Sequence, residues 1–175
     1  MVQSVISHLS GVACVGFSGS RAPSPASLAA LSWLCGLVPP GAAVVVGCAR
    51  GIDQAARQVF PVVQVFQAAA YGTGRGAFAA RSVACVRAVA VAGGLWVSFP
   101  ASPCPAGLVP SSKSSKCFCG KGSGTWASLA FAVGLRLPCL VFLPPGVLPP
   151  VGWGLQPLGG GWFHIAPPAV QGTLF

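Results

Sequence analysis

The sequence predicts an α/β fold, doubly wound, with a mostly parallel sheet of about five to six strands and helices on both faces. Three observations predict it. Short β-branched apolar runs alternate along the chain with longer segments whose apolar residues recur at helical spacing. The connections between these segments are short, which suits crossovers between neighbouring parallel strands. One stretch, residues 42–60, shows half of a βαβ unit: an apolar run, a glycine-bracketed turn and a helix start.

Residues 1–10 carry little pattern, and His8 among them is expected to be exposed. The first buried strand is VACVGF, residues 12–17, ending in Ser18, Gly19, Ser20 and Arg21. Pro23, Ser24 and Pro25 prepare a helix over 26–38, and Pro39, Pro40 and Gly41 stop it. The second strand is AAVVV, residues 42–46, followed by the turn Gly47, Cys48, Ala49, Arg50 and Gly51. Apolar residues at 52, 55, 56, 59 and 60 then give a helix. A short strand at 62–66 leads to a loop bearing Tyr71 and Arg75, and a helix over 77–90 carries Arg81 and Arg87. Gly93 and Gly94 turn the chain into a fourth strand, 95–99.

Residues 100–122 are rich in Ser, Pro, Cys and Gly, and form the longest irregular stretch before the tail. This loop is expected to be mobile until an anionic ligand draws in Lys113, Lys116 and Lys121. Gly122, Ser123, Gly124 and Thr125 open a further helix to residue 135, and the fifth strand is 138–143. The Pro-, Gly- and Trp-rich tail, 145–175, can add an edge strand at 161–165, where His164 is expected to be a packing residue. We expect a single domain over 1–175 with its core in 12–144.

Hydrophobic residues make up 54% of the chain and the mean hydropathy is +0.76, so a membrane span has to be considered. Proline interrupts every long charge-free run, and no stretch of about 20 continuous apolar residues remains. The start also lacks the pattern of a secretory signal, so the expected location is cytoplasmic.

Ten Lys and Arg against one acid, Asp53, give a formal charge of +9. One carboxylate excludes catalysis by a carboxylate pair and a carboxylate-caged Mg²⁺ or Ca²⁺ site. The field favours anionic partners: nucleotides or nucleic acid. Of the cysteines, Cys14, Cys35, Cys85 and Cys139 fall in apolar surroundings and are expected to pack as small hydrophobes. Cys104, Cys117 and Cys119 lack the paired spacing and nearby His of zinc sites. The expectation is no metal and no cofactor.

The glycine-bracketed turn before a helix offers free N–H groups and the positive end of a dipole, a natural anion site to which Arg50 can add a charge. Asp53 has two readings. It is a helix-start carboxylate paired with Arg57 one turn on, or it contacts a ligand through a ribose hydroxyl or a base edge. In parallel sheets ligands bind at the carboxyl ends of strands where strand order reverses. The loops SGSR, GCARG and KGSGT would converge on that edge.

GFSGSR, GCARGIDQAAR, RGAFAARSVACVRA and GSGTWASLAFAVGLRLPCLVF occur in an order that resembles the Rossmann-like domain of the DNA-processing protein A (DprA/Smf) family, over roughly residues 12–144. The wider superfamily includes the LOG phosphoribohydrolases. The resemblance implies that Gly19, Ser20 and Arg21 line a pocket, with Ser18 adjoining. It implies an anion loop of Gly47, Ala49, Arg50, Gly51 and Asp53 (Cys48 included), Arg81 at the rim, and Gly122, Ser123, Gly124 and Thr125 opposite. The function implied is binding of a phosphate-bearing ligand, a nucleotide or single-stranded DNA. Arg75, Arg81, Lys113, Lys116 and Lys121 with Tyr71, Phe78 and Phe118 would supply a track for a strand. The apolar surface or tail would serve a homodimer. The alternative is nucleotide hydrolysis of the phosphoribohydrolase type. Its PGGxGTxxE motif needs a glutamate just after Thr125, where this chain has Trp126, Ala127 and Ser128, and no catalytic residue is assigned.

Overall fold

Strands form where the apolar runs stand, and their order is set by the crossovers. The computed structural model describes residues 2–120 and 122–167. Its elements in chain order are α1 (Val2–Leu9), β1 (Cys14–Gly19), α2 (Pro25–Cys35), β2 (Ala43–Gly47), α3 (Ile52–Val59), β3 (Gln64–Phe66), a 3-10 turn (Ala68–Tyr71) and α4 (Gly74–Val91). Then follow β4 (Leu95–Phe99), α5 (Ser114–Cys117), α6 (Gly124–Gly134), β5 (Cys139–Phe142), β6 (Gln156–Gly159) and β7 (Trp162–Ile165). The seven strands form one sheet in the order β3-β2-β1-β4-β5-β7-β6. The first five pair in parallel, and β7 runs antiparallel to both β5 and β6. The fold is the doubly wound, Rossmann-like architecture, and strand order reverses between β1 and β4.

Alternation along each strand divides the core in two. Val15 and Phe17, Val44 and Val46, Leu95, Val97 and Phe99 face one side, where α1, α2 and α3 bury Val5, Leu31, Leu34 and Ile52. Cys14, Val45, Trp96, Cys139 and Val141 face the other, against Cys85, Val86 and Val89 of α4 and Leu129 and Phe131 of α6. Every strand from β1 to β5 other than the short β3 is therefore covered on both faces, which is why each reads as a continuous apolar run. All four cysteines expected to pack as hydrophobes are buried.

The structure differs from the sequence reading at both ends and in the middle. Residues 2–9 form a helix that sends Val5 and Leu9 into the core, so the core is wider than 12–144. His8 is half-buried, its ring 4.6 Å from that of His164. Burial first, and the facing His164 second, hold the His8 imidazole below its ordinary pKa. The segment 161–165 is not an edge, because β6 pairs outside it. β6 has the sequence QPLG, largely exposed and without alternation, and its proline is tolerated on an edge strand. In the tail, one of the surfaces expected to serve a homodimer, Trp153 and Trp162 are inside. Trp162 contacts Phe99, Phe142 and Trp33 at ring separations of 5.6, 5.3 and 5.9 Å, and Trp153 meets Trp126 edge-on at 5.7 Å. Such pairs add about 0.5–1.5 kcal/mol each beyond burial. The stretch 100–122 contains α5, with Cys117 buried, and is tied to α6 by a Trp126 Nε1 donation to the Ser102 carbonyl at 2.8 Å. Lys121 and the tail beyond residue 167 lie outside the described residues. Among those described, no helix is long and apolar enough to cross a membrane.

Candidate functional site

A cavity of about 730 Å³ opens where β1, β2 and β4 end. Its lining comes from the loop after β1, the turn after β2, the first turns of α4, and the segment leading into α6. Twelve of the expected site residues line it: Ser18, Gly19, Ser20, Arg21, Gly47, Ala49, Asp53, Arg81, Gly122, Ser123, Gly124 and Thr125. Cys48, Arg50 and Gly51 do not. The Cys48 thiol instead receives the Ala68 N–H at 3.2 Å, and Arg50 is exposed.

The turn after β2 is built around an ion pair. Asp53 and Arg81 are both buried and meet at 2.8 Å between Oδ2 and Nη1. The same Oδ2 receives the Ala49 N–H at 3.3 Å. Burial pushes the Asp53 carboxyl above its ordinary pKa, while the hydrogen bond and charge of Arg81 oppose that shift. Sequence spacing made Arg57 the natural partner of Asp53. Its guanidinium donates instead to the carbonyls of Gly47 and Ala49, tying α3 back onto the turn. Glycine at 47 is a steric requirement, since a Cβ there would overlap Arg81 Nη1. Gly51 adopts φ +77° and lies against the Ser20 carbonyl, which takes the Ile52 N–H at 3.1 Å. Two donors of the anion site expected at the start of α3 are thus engaged from within. Asp53 takes one donor of the turn, and the loop after β1 takes another.

The cations and donors facing the cavity lie elsewhere. Arg21, exposed, stacks on Phe78 with its guanidinium 5.0 Å from the ring centroid. Arg75, also exposed, lines the same mouth from the first turn of α4. Across from them α6 begins at Ser123 with no side-chain cap, so its first N–H groups and the positive dipole end stand beside the cavity. Deeper in, the lining is Phe17, Trp96, Cys85 and Cys117. Burial pushes the Cys85 thiol up to about 12, so it is an inert wall rather than a nucleophile. Ser18 and Ser98 share a hydrogen bond of 2.9 Å between their hydroxyls on adjacent strands. Sequence reasoning missed Ser98 and Trp96, and it placed Phe78 only in the strand track. A lone serine within the apolar run LWVSF was the signal available for the first. Among the described residues no group of three His, Cys, Asp or Glu side chains could hold a metal ion.

This arrangement of strands and loops is found in a solved structure. The chain superposes on DNA processing protein A from Helicobacter pylori with a TM-score of 0.55, at 18% identity, over 82% of this chain and 69% of that one. Its fold is DprA-like. That structure was determined to explain a mode of single-stranded DNA binding, which is a property of that protein. No protein-family model matches the sequence, and no match is found among curated proteins.

Proposed function

We propose that the chain is a DprA-like binding protein for single-stranded DNA, held by its phosphates in the cleft at the carboxyl edge of the sheet. A mononucleotide is the smallest ligand the cleft would take, and the role is cytoplasmic. One observation carries this reading: the only acid in the chain is already neutralised by Arg81 inside the wall. What the cleft presents to a ligand is then Arg21, Arg75 and the uncapped start of α6, all favourable to anions. The neighbour's recognition of single-stranded DNA supports the same class of ligand. Asp53 is engaged by Arg81 and Ala49, which leaves it poorly placed as a general base, so binding rather than hydrolysis is the favoured activity.

Fluorescence anisotropy of a labelled oligothymidylate, at low and high salt, tests it. Affinity should fall steeply with salt, and the Arg21→Ala/Arg75→Ala double variant should bind far more weakly with a log–log slope shallower by about 1.4, at about 0.7 per lost contact. No binding at low salt, or equal binding by the double variant, would overturn it.

A further inference from the structure

A second groove, of about 660 Å³, runs beside the cleft between α4 and α5. The two share a wall: Ala79 and Phe118 line both. The floor of the groove is a face of small apolar residues on α4, including Ala80, Val83 and Ala84. Two aromatic rings stand at it. Tyr71 is 39% exposed, and Phe118 is braced edge-on against Phe131 at 6.3 Å. Arg87 lies on the same groove, about 12 Å along α4 from Ala79 at 1.5 Å per residue. Its guanidinium is held over the Phe131 ring at 5.9 Å. On the opposite bank, Ser114 and Ser115 line the groove, with Lys113 and Lys116 exposed beside them. The chain's one acid is buried in the other cavity, so the groove's charge is uniformly positive.

From this continuity and charge we infer that the α4–α5 groove is the exit path of single-stranded DNA from the cleft. The next base stacks on Tyr71 or Phe118, and its phosphate meets Arg87 or the lysines of the α5 bank. This rests on the cleft reading above and adds a separate subsite to it. Aromatic stacking with flanking cations binds a strand without reading its sequence, and a mononucleotide filling the cleft would leave the groove empty.

The test compares two ligands on the full chain: thymidine monophosphate, and an oligothymidylate of about 12 nucleotides. Tyr71→Ala and Arg87→Ala should each weaken the oligonucleotide by about tenfold and leave monophosphate binding unchanged. Arg87→Ala should also lower the salt slope by about 0.7. Tyr71→Phe, which keeps the ring, should restore the affinity. Unchanged oligonucleotide affinity in the Tyr71→Ala/Arg87→Ala double variant would overturn the path while the cleft reading stands. Parallel loss of both ligands would also overturn it, since the substitutions would then act through the cleft. Failure of the unmodified protein to bind either ligand would remove the cleft reading and the path together.

Discussion

The two walls of the cleft are made differently. On the wall built by β1, β2, α3 and α4, most polar groups are answered from within, the buried Arg81 Nε being an exception. Asp53 has Arg81 and the Ala49 N–H, Arg57 has two carbonyls, and Ser18 has Ser98. On the wall built by residues 100–125, Ser123 caps α6 without a side-chain bond, and Gly124, Lys113 and Lys116 are exposed. The first wall fixes a shape, and the second keeps donors in reserve. A protein that binds an extended anion gains from both. A satisfied wall preorganises the site, and an unsatisfied one supplies the affinity.

Stability measurements can break this contrast most sharply at the ion pair. Asp53→Ala leaves a buried guanidinium without its partner and should cost about 3–5 kcal/mol in urea unfolding. Ser123→Ala, on the open wall, should cost less than about 0.5 kcal/mol. Equal costs would mean that the walls do not differ in this way. A smaller effect compares two glycines. Gly47→Ala forces a methyl into Arg81 and should destabilise by about 1–3 kcal/mol. Gly124→Ala has open space around its added carbon and should lie between neutral and about 1 kcal/mol stabilising. The contrast is sharpened, with least energetic consequence, by alkylation of the native protein with iodoacetamide near neutral pH. Cys119, exposed beside the open wall, should react. Cys85, buried and with its thiol pushed up to about 12, should be spared until the protein unfolds. Mass spectrometry of the digest reads both sites, and early labelling of Cys85 would show that the fixed wall opens.

The parts of the fold that were legible in the sequence are those with a local signature. β1, β2, β4 and β5 are buried on both faces and so carry unbroken apolar runs. α1 was not legible because, among its described side chains, only Val5 and Leu9 report a buried face, and β6 because an exposed four-residue edge has no pattern to show. The site followed the same division. Loops rich in glycine and serine at strand ends marked the cleft, since those residue types allow the turns. The partner of Asp53 was not legible. Arg57 has the right helical spacing, and nothing local says that its guanidinium turns to carbonyls while Arg81 arrives from another helix. The two rings at the second groove, Tyr71 from the 3-10 turn and Phe118 after α5, are likewise brought together from separate segments, not by any one of them.

Ser20 sits at the junction of three elements. Its N–H donates to the Phe99 carbonyl at the end of β4, and its carbonyl receives the Ile52 N–H of α3, both at 3.1 Å. The residue that follows it is Arg21, so an exposed guanidinium of the mouth is tethered at an immobilised point. Engaging a phosphate there restricts only side-chain torsions, at roughly 0.5–1.5 kcal/mol for the side chain. Ordering a free loop would add about 1–2 kcal/mol for each backbone residue fixed. Folding has therefore already met most of the entropic cost of capture.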